Sequence, residues 1–400
     1  MLSKRNILII SQYFPPDISG GGTRAYNYAK ALHNKKYNVT VITAHPHLHE
    51  SVPKKYKFKF FTREKMDGIN IVRVWIPSLL HNSAKNRIIL HLTFLITSLI
   101  PLYSIKTNAI FASEPNLFAI IPAYFYSKIK KADVIRVVDD IWPEALYERG
   151  YVKSRVLKKI LNKLAKFSYD YPKFILPLTE NGKKIIQKTY SIKEEKIVVL
   201  EHGVDTKIFR YKQKEREEYF VLMYSGSIVE SYDFDLIFNA AKRLHEKKIK
   251  FIIRGKGTLL SQIIDKKNKM KLDNVEIDTK MVPYEKISEE LNKADAFLVP
   301  MKNEIALNST LPTKILEYQA LGRPIICCSE GAPGNYVEKT NSGIKVDYDN
   351  LDDFVEAILK LEENRDLCNT IGSNSKKYVE NNLTFEKIGE RLSKMIQVLR

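Results

Sequence analysis

A short segment near residue 311 places a cation and a carboxylate at helical spacing. Residues 311–322 read LPTKILEYQALG, with Pro312 at the expected start of a helix and Gly322 just past its end, as proline and glycine usually flank helices. Lys314 and Glu317 then lie in the first two turns. An ammonium is a competent phosphate partner. A carboxylate near a helix start either binds a ligand or only complements the helix dipole.

Three glycines follow the first apolar run of the chain. Gly20, Gly21 and Gly22 precede a helical pattern that begins near Thr23, so the backbone can approach a ligand closely and helix N–H groups point at an anion. Glycines that serve only turn geometry explain the triplet alone equally well. The neighbouring Arg24 favours contact with an anion.

Two adjacent acids come directly after another apolar run. Asp139 and Asp140 stand in VVDDIWPEAL, with Trp142 and Glu144 after them. Aspartate commonly caps a helix, and residues 143–149 are expected to be helical. Two acids beside a tryptophan also suit the wall of a sugar-binding site, and this is the interpretation we favour.

Histidines and cysteines do not indicate a metal site. His45, His47 and His49 alternate after the second predicted strand, but no carboxylate or cysteine accompanies them at a convincing spacing, so a solvated loop is expected. Cys327 and Cys328 lie in an apolar run, and the three cysteines of the chain have no ligand spacing. We expect no metal, no cofactor and a reducing cytoplasm.

Length and hydrophobic pattern predict two α/β domains. Four hundred residues exceed one ordinary core. Apolar runs alternate with helical patterns in both halves, which predicts parallel sheets covered by helices. The predicted organisation is a domain at 1–204, a polar and charged linker at 205–218, a domain at 219–380 and a final helix at 381–400 that packs back on the first domain.

The stretch from residue 309 to 317 and its continuation resemble the signature of family-4 glycosyltransferases of the GT-B fold, in which two glutamates are separated by seven residues. The resemblance extends over nearly the whole chain, through SQYFPPDISGGGTRAYNYAKAL, VVDDIWPEAL, LEHGVDTKIF and YSGSIVESYDFDLI. It implies two Rossmann-like domains facing across a cleft, with the donor site built mainly by the C-terminal one. The DxWPE variant resembles enzymes that transfer amino sugars or deoxysugars in surface-polysaccharide assembly.

The resemblance also implies roles for individual residues. Glu317 matches the second glutamate, which hydrogen-bonds the donor ribose, whereas the first position is Ser309. The family's usual diphosphate cations fall at Ser227 and Ser231, so Lys314 is expected to meet that charge first. The other expected donor contacts are Gly21, Gly22, Arg24, Gly226, Arg254, Lys256, Leu311, Pro312 and Thr313.

The implied reaction moves a sugar from a nucleotide diphosphate donor, expected to be uridine-linked, to a lipid-linked saccharide or polysaccharide precursor. A hexosyl or N-acetylhexosaminyl transfer is expected, and retention of configuration follows from the resemblance. Asp139, Asp140 and Lys314 are the expected catalytic residues, acting by orientation and charge stabilisation. A sugar-nucleotide epimerase of similar fold remains an alternative. A nucleic-acid-binding protein is a weaker one, because the lysines are scattered and no nucleic-acid motif is seen.

Two segments of the first half indicate a membrane surface. Residues 88–103 are apolar but too short and interrupted to span a bilayer, and residues 154–168 carry an apolar side opposite a lysine-rich one. With a formal charge of +19 and lysines at 128, 130 and 131, they predict peripheral attachment to the inner face of the cell membrane. The alternative is a buried helix at 88–103 and a solvated basic face. The N-terminus lacks a small-residue cleavage site, so no signal peptide is expected.

Overall fold

The computed structural model describes residues 5–17, 20–47, 53–56, 59–79, 84–113, 117–148, 150, 152–215, 217–304 and 307–399. They form two compact units, which we describe separately. The first unit comprises Met1–Gly203 and Phe385–Arg400, and the second comprises Val204–Thr384.

The first unit is built on a seven-stranded sheet. Its strands are β1 (Asn6–Ile10), β2 (Asn38–Ala44), β3 (Phe61–Met66), β4 (Ile69–Val74), β5 (Ala109–Ala112), β6 (Asp133–Val138) and β7 (Phe174–Pro177). They lie in the order β3-β4-β2-β1-β5-β6-β7. All neighbours are parallel except β3 and β4. The inner strands are rich in buried apolar residues because both of their faces are covered.

The helices of this sheet follow the expected alternation. They are α1 (Gly20–Asn34), α2 (Ala84–Thr97), α3 (Ile120–Lys130), α4 (Glu144–Glu148), α5 (Arg155–Asp170) and α6 (Glu180–Tyr190). Thr179 caps α6 by accepting a hydrogen bond from the Gly182 N–H, a common way to satisfy an open helix end. The antiparallel β3–β4 pair was not predicted, because β3 reads FTREKM, which has no apolar run to mark it.

The second unit is built on a six-stranded parallel sheet. Its strands are β8 (Phe220–Ser225), β9 (Ile249–Arg254), β10 (Val275–Asp278), β11 (Ala296–Pro300), β12 (Ile325–Cys328) and β13 (Gly343–Val346), in the order β10-β9-β8-β11-β12-β13. Its helices are α7 (Phe234–Arg243), α8 (Leu260–Met270), α9 (Ile287–Leu291), α10 (Thr313–Ala320), α11 (Ala332–Lys339), α12 (Leu351–Glu363) and α13 (Arg365–Asn382). Two sheets, the first parallel except for β3 and the second parallel throughout, are covered by helices and confirm the predicted α/β class.

The polar stretch predicted as a linker is bound to the second unit. The Lys212 N–H donates to Asn292 Oδ1 at 2.9 Å, and Lys214 Nζ lies 2.7 Å from Asp295. This part of the predicted linker therefore makes contacts with the second unit.

The last helix, α14 (Phe385–Gln397), belongs to the first unit. Ile388, Leu392 and Ile396 recur on one side and are buried in the same apolar cluster as α1. At Gly389 a Cβ would lie 2.8 Å from the Ala31 carbonyl oxygen, so the two helices approach closely where that side chain is absent. No helix in the described part of the chain is both long and apolar enough to cross a bilayer.

We predict that Leu392→Ala lowers the free energy of unfolding by about 2–5 kcal/mol, the usual cost of deleting a buried leucine side chain. Lys394→Ala, a change at an exposed position of the same helix, is the control and should cost under about 0.5 kcal/mol. Urea denaturation measures both. Equal stability of the two variants would show that α14 does not contribute to the core of the first unit.

Candidate functional site

The loop after β8 continues the sheet beyond its last strand residue. The Gly226 N–H donates to the Arg254 carbonyl at 2.9 Å, and the Ile228 N–H donates to the Lys256 carbonyl at 2.8 Å. A Cβ at Gly255 would lie only 1.8 Å from the Gly226 carbonyl oxygen. This loop is at the carboxyl edge of a parallel sheet, where open α/β folds bind ligands.

The helix α10 is fixed to the same edge by its aromatic residue. The Tyr318 hydroxyl accepts from the Ser225 N–H at 2.9 Å and contacts the Ser225 carbonyl at 3.0 Å, while its ring stacks on Phe297. Leu311 is buried just before the helix. Pro312 precedes the first turn and no side chain caps it, so the N-terminal end of α10 offers uncapped backbone amides to an anion.

Lys314 extends from the first turn of α10 to the loop after β8. Its Nζ lies 3.9 Å from the ring centre of Tyr224 and 4.0 Å from that of Tyr232. A Cβ at Gly226 would lie 2.6 Å from this Nζ. The Nζ atom is inaccessible to solvent and has no hydrogen-bond acceptor among the described residues. Burial lowers the pKa of Lys314 to about 7, and the carboxylate of Glu317 opposes that shift.

Glu317 follows three residues later, on the same side of α10 as Lys314. Burial raises the pKa of its carboxyl to about 7, and Lys314 opposes the shift. Both groups are therefore easier to neutralise than in water, because each lacks the hydration that stabilises its charge. An anion at the amine and hydroxyl groups at the carboxylate would supply the missing partners.

Two other cations of the second unit, both predicted to contact the donor, differ in exposure and in their hydrogen-bond partners. Arg254 is buried, pairs with Asp278 and donates to the Lys280 carbonyl. Its positive charge is already matched by protein groups, and the expectation that it binds a diphosphate does not fit this geometry. Lys256 is exposed on the loop against which Gly226 packs. Lys256 therefore remains accessible as a second cation on this loop.

In the first unit, Arg24 occupies a different place from the one predicted. Its guanidinium is fully buried and donates to the Tyr28 hydroxyl, to Asp139 and to three backbone carbonyls, those of Val138, Leu176 and Leu200. A guanidinium has five N–H donors, and these contacts use them all. Arg24 is thus a structural tie between α1 and the ends of β6 and β7, and its assignment to a donor diphosphate is corrected.

The glycines beside Arg24 are part of α1. The helix begins at Gly20, whereas the sequence placed the triplet in a loop and the helix start near Thr23. Gly21 and Gly22 therefore contribute backbone amides of a first helical turn. Such amides attract anions, which keeps both as candidates for ligand contact.

Arg24 binds only one of the two carboxylate oxygens of Asp139. Its Oδ1 lies 2.8 Å from Arg24 Nη1, while its Oδ2 is buried without a hydrogen-bond partner among the described residues. Asp140 beside it is exposed. Trp142 and Glu144 come after this pair in the chain, and Glu144 accepts a hydrogen bond from the Tyr190 hydroxyl at 2.6 Å. One carboxylate of the adjacent pair is therefore oriented by the fold.

His202 also belongs to this cluster, although the sequence did not single it out. It is buried, its Nδ1 has no hydrogen-bond partner in the described structure, and burial lowers its pKa to about 4, opposed by Asp139 and reinforced by Arg24. The only available signal was its place in LEHGVDTKIF, a segment of the family resemblance.

The histidines after β2 are buried, so the prediction of a solvated loop is wrong for two of them. His45 stacks on Tyr56, and His47 Nδ1 lies 3.3 Å from Asp17; His49 lies outside the described residues. No group of three or more His, Cys, Asp or Glu residues suited to a metal ion occurs in the described part of the chain.

The low pKa of His202 predicts acid sensitivity. Below about pH 6.5 the unfolded chain binds a proton at this histidine that the folded chain does not bind until about pH 4, so the free energy of unfolding falls as the pH drops through this interval. At 1.36 kcal/mol per pH unit, the loss from this group approaches about 3 kcal/mol.

Replacing His202 by Gln should therefore flatten the decline of stability between pH 6.5 and 4, measured by urea denaturation at several pH values. His245→Gln, at an exposed histidine of the second unit, is the control and should leave the decline unchanged. Identical pH dependence in both variants would contradict the predicted role of His202.

Two family models match consecutive parts of the chain. "Glycosyltransferase Family 4" matches residues 18–208, and "Glycosyl transferases group 1" matches residues 205–378. Together they match residues 18–378. Among curated proteins, an uncharacterized glycosyltransferase of Methanocaldococcus jannaschii is 24% identical over 207 residues, which are 50% of this chain and 55% of that protein. The matched stretch thus spans about half the length of the relative.

Solved structures share the fold over nearly all residues. Sucrose-phosphate synthase from Thermosynechococcus elongatus has a TM-score of 0.77 at 13% identity, with 98% of each chain covered. Anabaena HepE, solved in complex with UDP, has a TM-score of 0.69 at 12% identity and covers 98% of this chain and 99% of its own. The two sheets, the two matching family models and these structural neighbours together show that the chain belongs to the family-4 glycosyltransferases of the GT-B fold.

Proposed function

We propose that the protein transfers a sugar from a UDP-linked donor to a lipid-linked saccharide or polysaccharide precursor. The observation that carries the donor assignment is the Lys314–Glu317 pair on α10, at the carboxyl edge of the second sheet. The buried amine of Lys314 lacks an acceptor among the described residues, and burial raises the pKa of the Glu317 carboxyl group. The UDP in the structurally similar HepE complex supports uridine as the nucleoside of the donor.

In this proposal each residue of the pair has a separate task. The carboxylate of Glu317 accepts hydrogen bonds from the ribose hydroxyls. Lys314, the amides at the start of α10 and exposed Lys256 meet the diphosphate. Gly226 allows the backbone of the loop after β8 to come close to the ligand, since its φ of 145° favours glycine.

Sugar transfer breaks the bond between the anomeric carbon and the diphosphate oxygen and forms a bond from that carbon to the oxygen of an acceptor hydroxyl. The proton of that hydroxyl is released together with the nucleoside diphosphate. Negative charge grows on the departing diphosphate, so preorganised positive groups lower the barrier. Lys314 fits this task because its ammonium gains an acceptor only when the anion is present. We infer a retaining transfer of a hexosyl or N-acetylhexosaminyl group.

Asp139 and Asp140 are proposed to contact the sugar or the acceptor. Oδ1 of Asp139 is fixed by Arg24, whereas Oδ2 has no hydrogen-bond partner in the described structure. The carboxylate is therefore oriented, and Oδ2 can accept a hydrogen bond from a ligand. Asp140 is exposed next to it. Substrates held in this way react faster because their orientation is set before reaction.

The donor assignment is tested first by protection against thermal unfolding with a panel of nucleotide diphosphates and nucleotide sugars. UDP and UDP-sugars should raise the Tm, because a ligand that binds only the folded state stabilises it. A panel in which no nucleotide changes the Tm would refute the proposed function. Conversion of a UDP-sugar to its epimer without an acceptor would instead identify the epimerase alternative.

We predict that Glu317→Gln weakens UDP binding by about 1.5–3 kcal/mol, the typical value of a hydrogen bond to a charged group. Calorimetric titration measures the Kd. The fold should be retained, since the change removes a charge that burial already disfavours. Glu338→Gln, at an exposed position on α11, is the control; unchanged affinity in both variants would remove Glu317 from the site.

An apolar surface of the first unit supports the proposal that the acceptor is lipid-linked. Three helices carry large hydrophobic side chains that are exposed to solvent. These side chains are Ile88, Leu92 and Ile96 on α2, Phe125 and Ile129 on α3, and Val156, Leu157 and Ile160 on α5. In α2 the opposite side, with Leu90 and Phe94, is buried, so the helix serves the core and the surface at once.

Exposed lysines lie on two of these helices. Lys158, Lys159 and Lys163 are exposed on α5, and Lys128 is exposed on α3. The helices α3 and α5 are neighbours, because Tyr124 packs on Phe167 at 5.5 Å between ring centres. Apolar insertion combined with attraction to anionic headgroups is the usual basis of peripheral attachment. We infer that this surface binds the inner face of the cell membrane, where a lipid-linked acceptor is available.

Flotation with vesicles containing anionic lipid tests this surface. The protein should float at low salt and be released as salt rises, because each lysine near the surface contributes about 1 kcal/mol. The double variant Val156→Gln/Ile160→Gln should float less. Val398→Gln, which alters an exposed apolar residue elsewhere on the first unit, is the control. Protein that stays in the soluble fraction at low salt contradicts membrane attachment.

A further inference from the structure

The amine of Lys314 sits in a pocket made of two tyrosine rings. Tyr224, from β8, is buried, and Tyr232 lies at the end of the loop that follows. Their rings meet edge to face at 5.1 Å, and Phe234 packs edge to face against Tyr224 at the same distance. The Tyr224 hydroxyl donates to the Ser227 carbonyl. The tyrosines are therefore fixed by contacts other than those with the lysine.

The loop that carries Tyr232 is tied to the sheet on its other side. The Lys302 N–H donates to the Ser231 carbonyl at 3.0 Å, and the Asp233 N–H donates to the Pro300 carbonyl at 2.7 Å. Tyr232 is thereby paired with the segment at the end of β11 rather than placed on a free loop. This explains how an aromatic ring in a connecting segment keeps a defined position.

A lysine in such a place is costly unless its neighbours compensate. Burying an ammonium without a hydrogen-bond acceptor is strongly unfavourable, whereas the faces of aromatic rings attract a cation. Two ring faces at about 4 Å supply that attraction without neutralising the charge. A solvent-exposed lysine would lose side-chain freedom on meeting a phosphate, and this one has already lost it.

We propose that Tyr224 and Tyr232 are positioning residues that hold the ammonium of Lys314 beside Gly226, ready to contact the diphosphate of the donor. The inference rests on the proposed function for the site that the diphosphate occupies. It adds the two residues that hold Lys314 in position. Lys314 takes the role of the family's usual diphosphate cations, whose positions are occupied here by Ser227 and Ser231. Gly226 is part of the arrangement, since a Cβ there would lie 2.6 Å from Lys314 Nζ.

A double-mutant cycle on UDP binding tests this role. Tyr232→Leu should weaken UDP binding about tenfold, the size expected for loss of a desolvated cation–π contact. Tyr232→Phe, which keeps the ring, should bind within about twofold of the parent. In a Lys314→Met background, Tyr232→Leu should have almost no further effect, because the tyrosine acts through the lysine.

Uridine, which has no phosphate, is the matched ligand for the same variants. Its weaker binding should change little on Tyr232→Leu. Equal losses for UDP and uridine, or the same loss with and without Lys314, would overturn the positioning role while leaving UDP binding by the parent intact. Failure of the parent to bind UDP would instead refute the proposed function, and the positioning role with it.

A second measurement needs neither a ligand nor a tyrosine variant. In the full chain with ¹³C-labelled lysine Cε, the resonance lost in Lys314→Met identifies this side chain. Its methylene protons should be shifted upfield by the two ring currents, away from the cluster of exposed lysines. A Lys314 resonance inside that cluster would show that the amine does not lie over the rings, and would overturn the proposal.

Discussion

The contact of the Lys314 ammonium with two tyrosine rings organises the carboxyl edge of the second sheet. It requires Tyr224 at the end of β8, Tyr232 in the tied loop, a glycine at 226 and a helix that starts within reach of all three. A cation held without an acceptor in the described structure favours any anion that enters. The chemical role proposed for this edge follows from that imbalance.

The first unit shows what a satisfied cation looks like. Arg24 is more deeply buried than Lys314, yet each of its N–H groups has a protein acceptor. Arg24 therefore stabilises the fold and has no unused N–H group for a ligand, although it still orients Asp139. The distinction between a structural and a ligand-binding cation thus lies in hydrogen-bond satisfaction, not in depth of burial.

Much of the fold was predictable because parallel strands buried on both faces are continuous apolar runs, as in NILII of β1. The β3 strand was missed because FTREKM carries no such run. Within the site, the placement of Lys314 and Glu317 on one helix was predictable because helical spacing is a local property, whereas their proposed roles came from the family resemblance. Arg24 was misassigned because its acceptors, at residues 138, 176 and 200, are far away in sequence. Tyr224 and Tyr232 were missed because aromatic residues usually indicate core.

We propose that α10 and the loop after β8 bind the donor nucleotide. A crystal structure of the protein with UDP tests it most directly. We expect ribose hydroxyls within hydrogen-bond distance of the Glu317 carboxylate, and diphosphate oxygens beside Lys314 Nζ and the first amides of α10. UDP bound elsewhere, with Lys314 still over the tyrosine rings and no contact to Glu317, would contradict the proposed donor site.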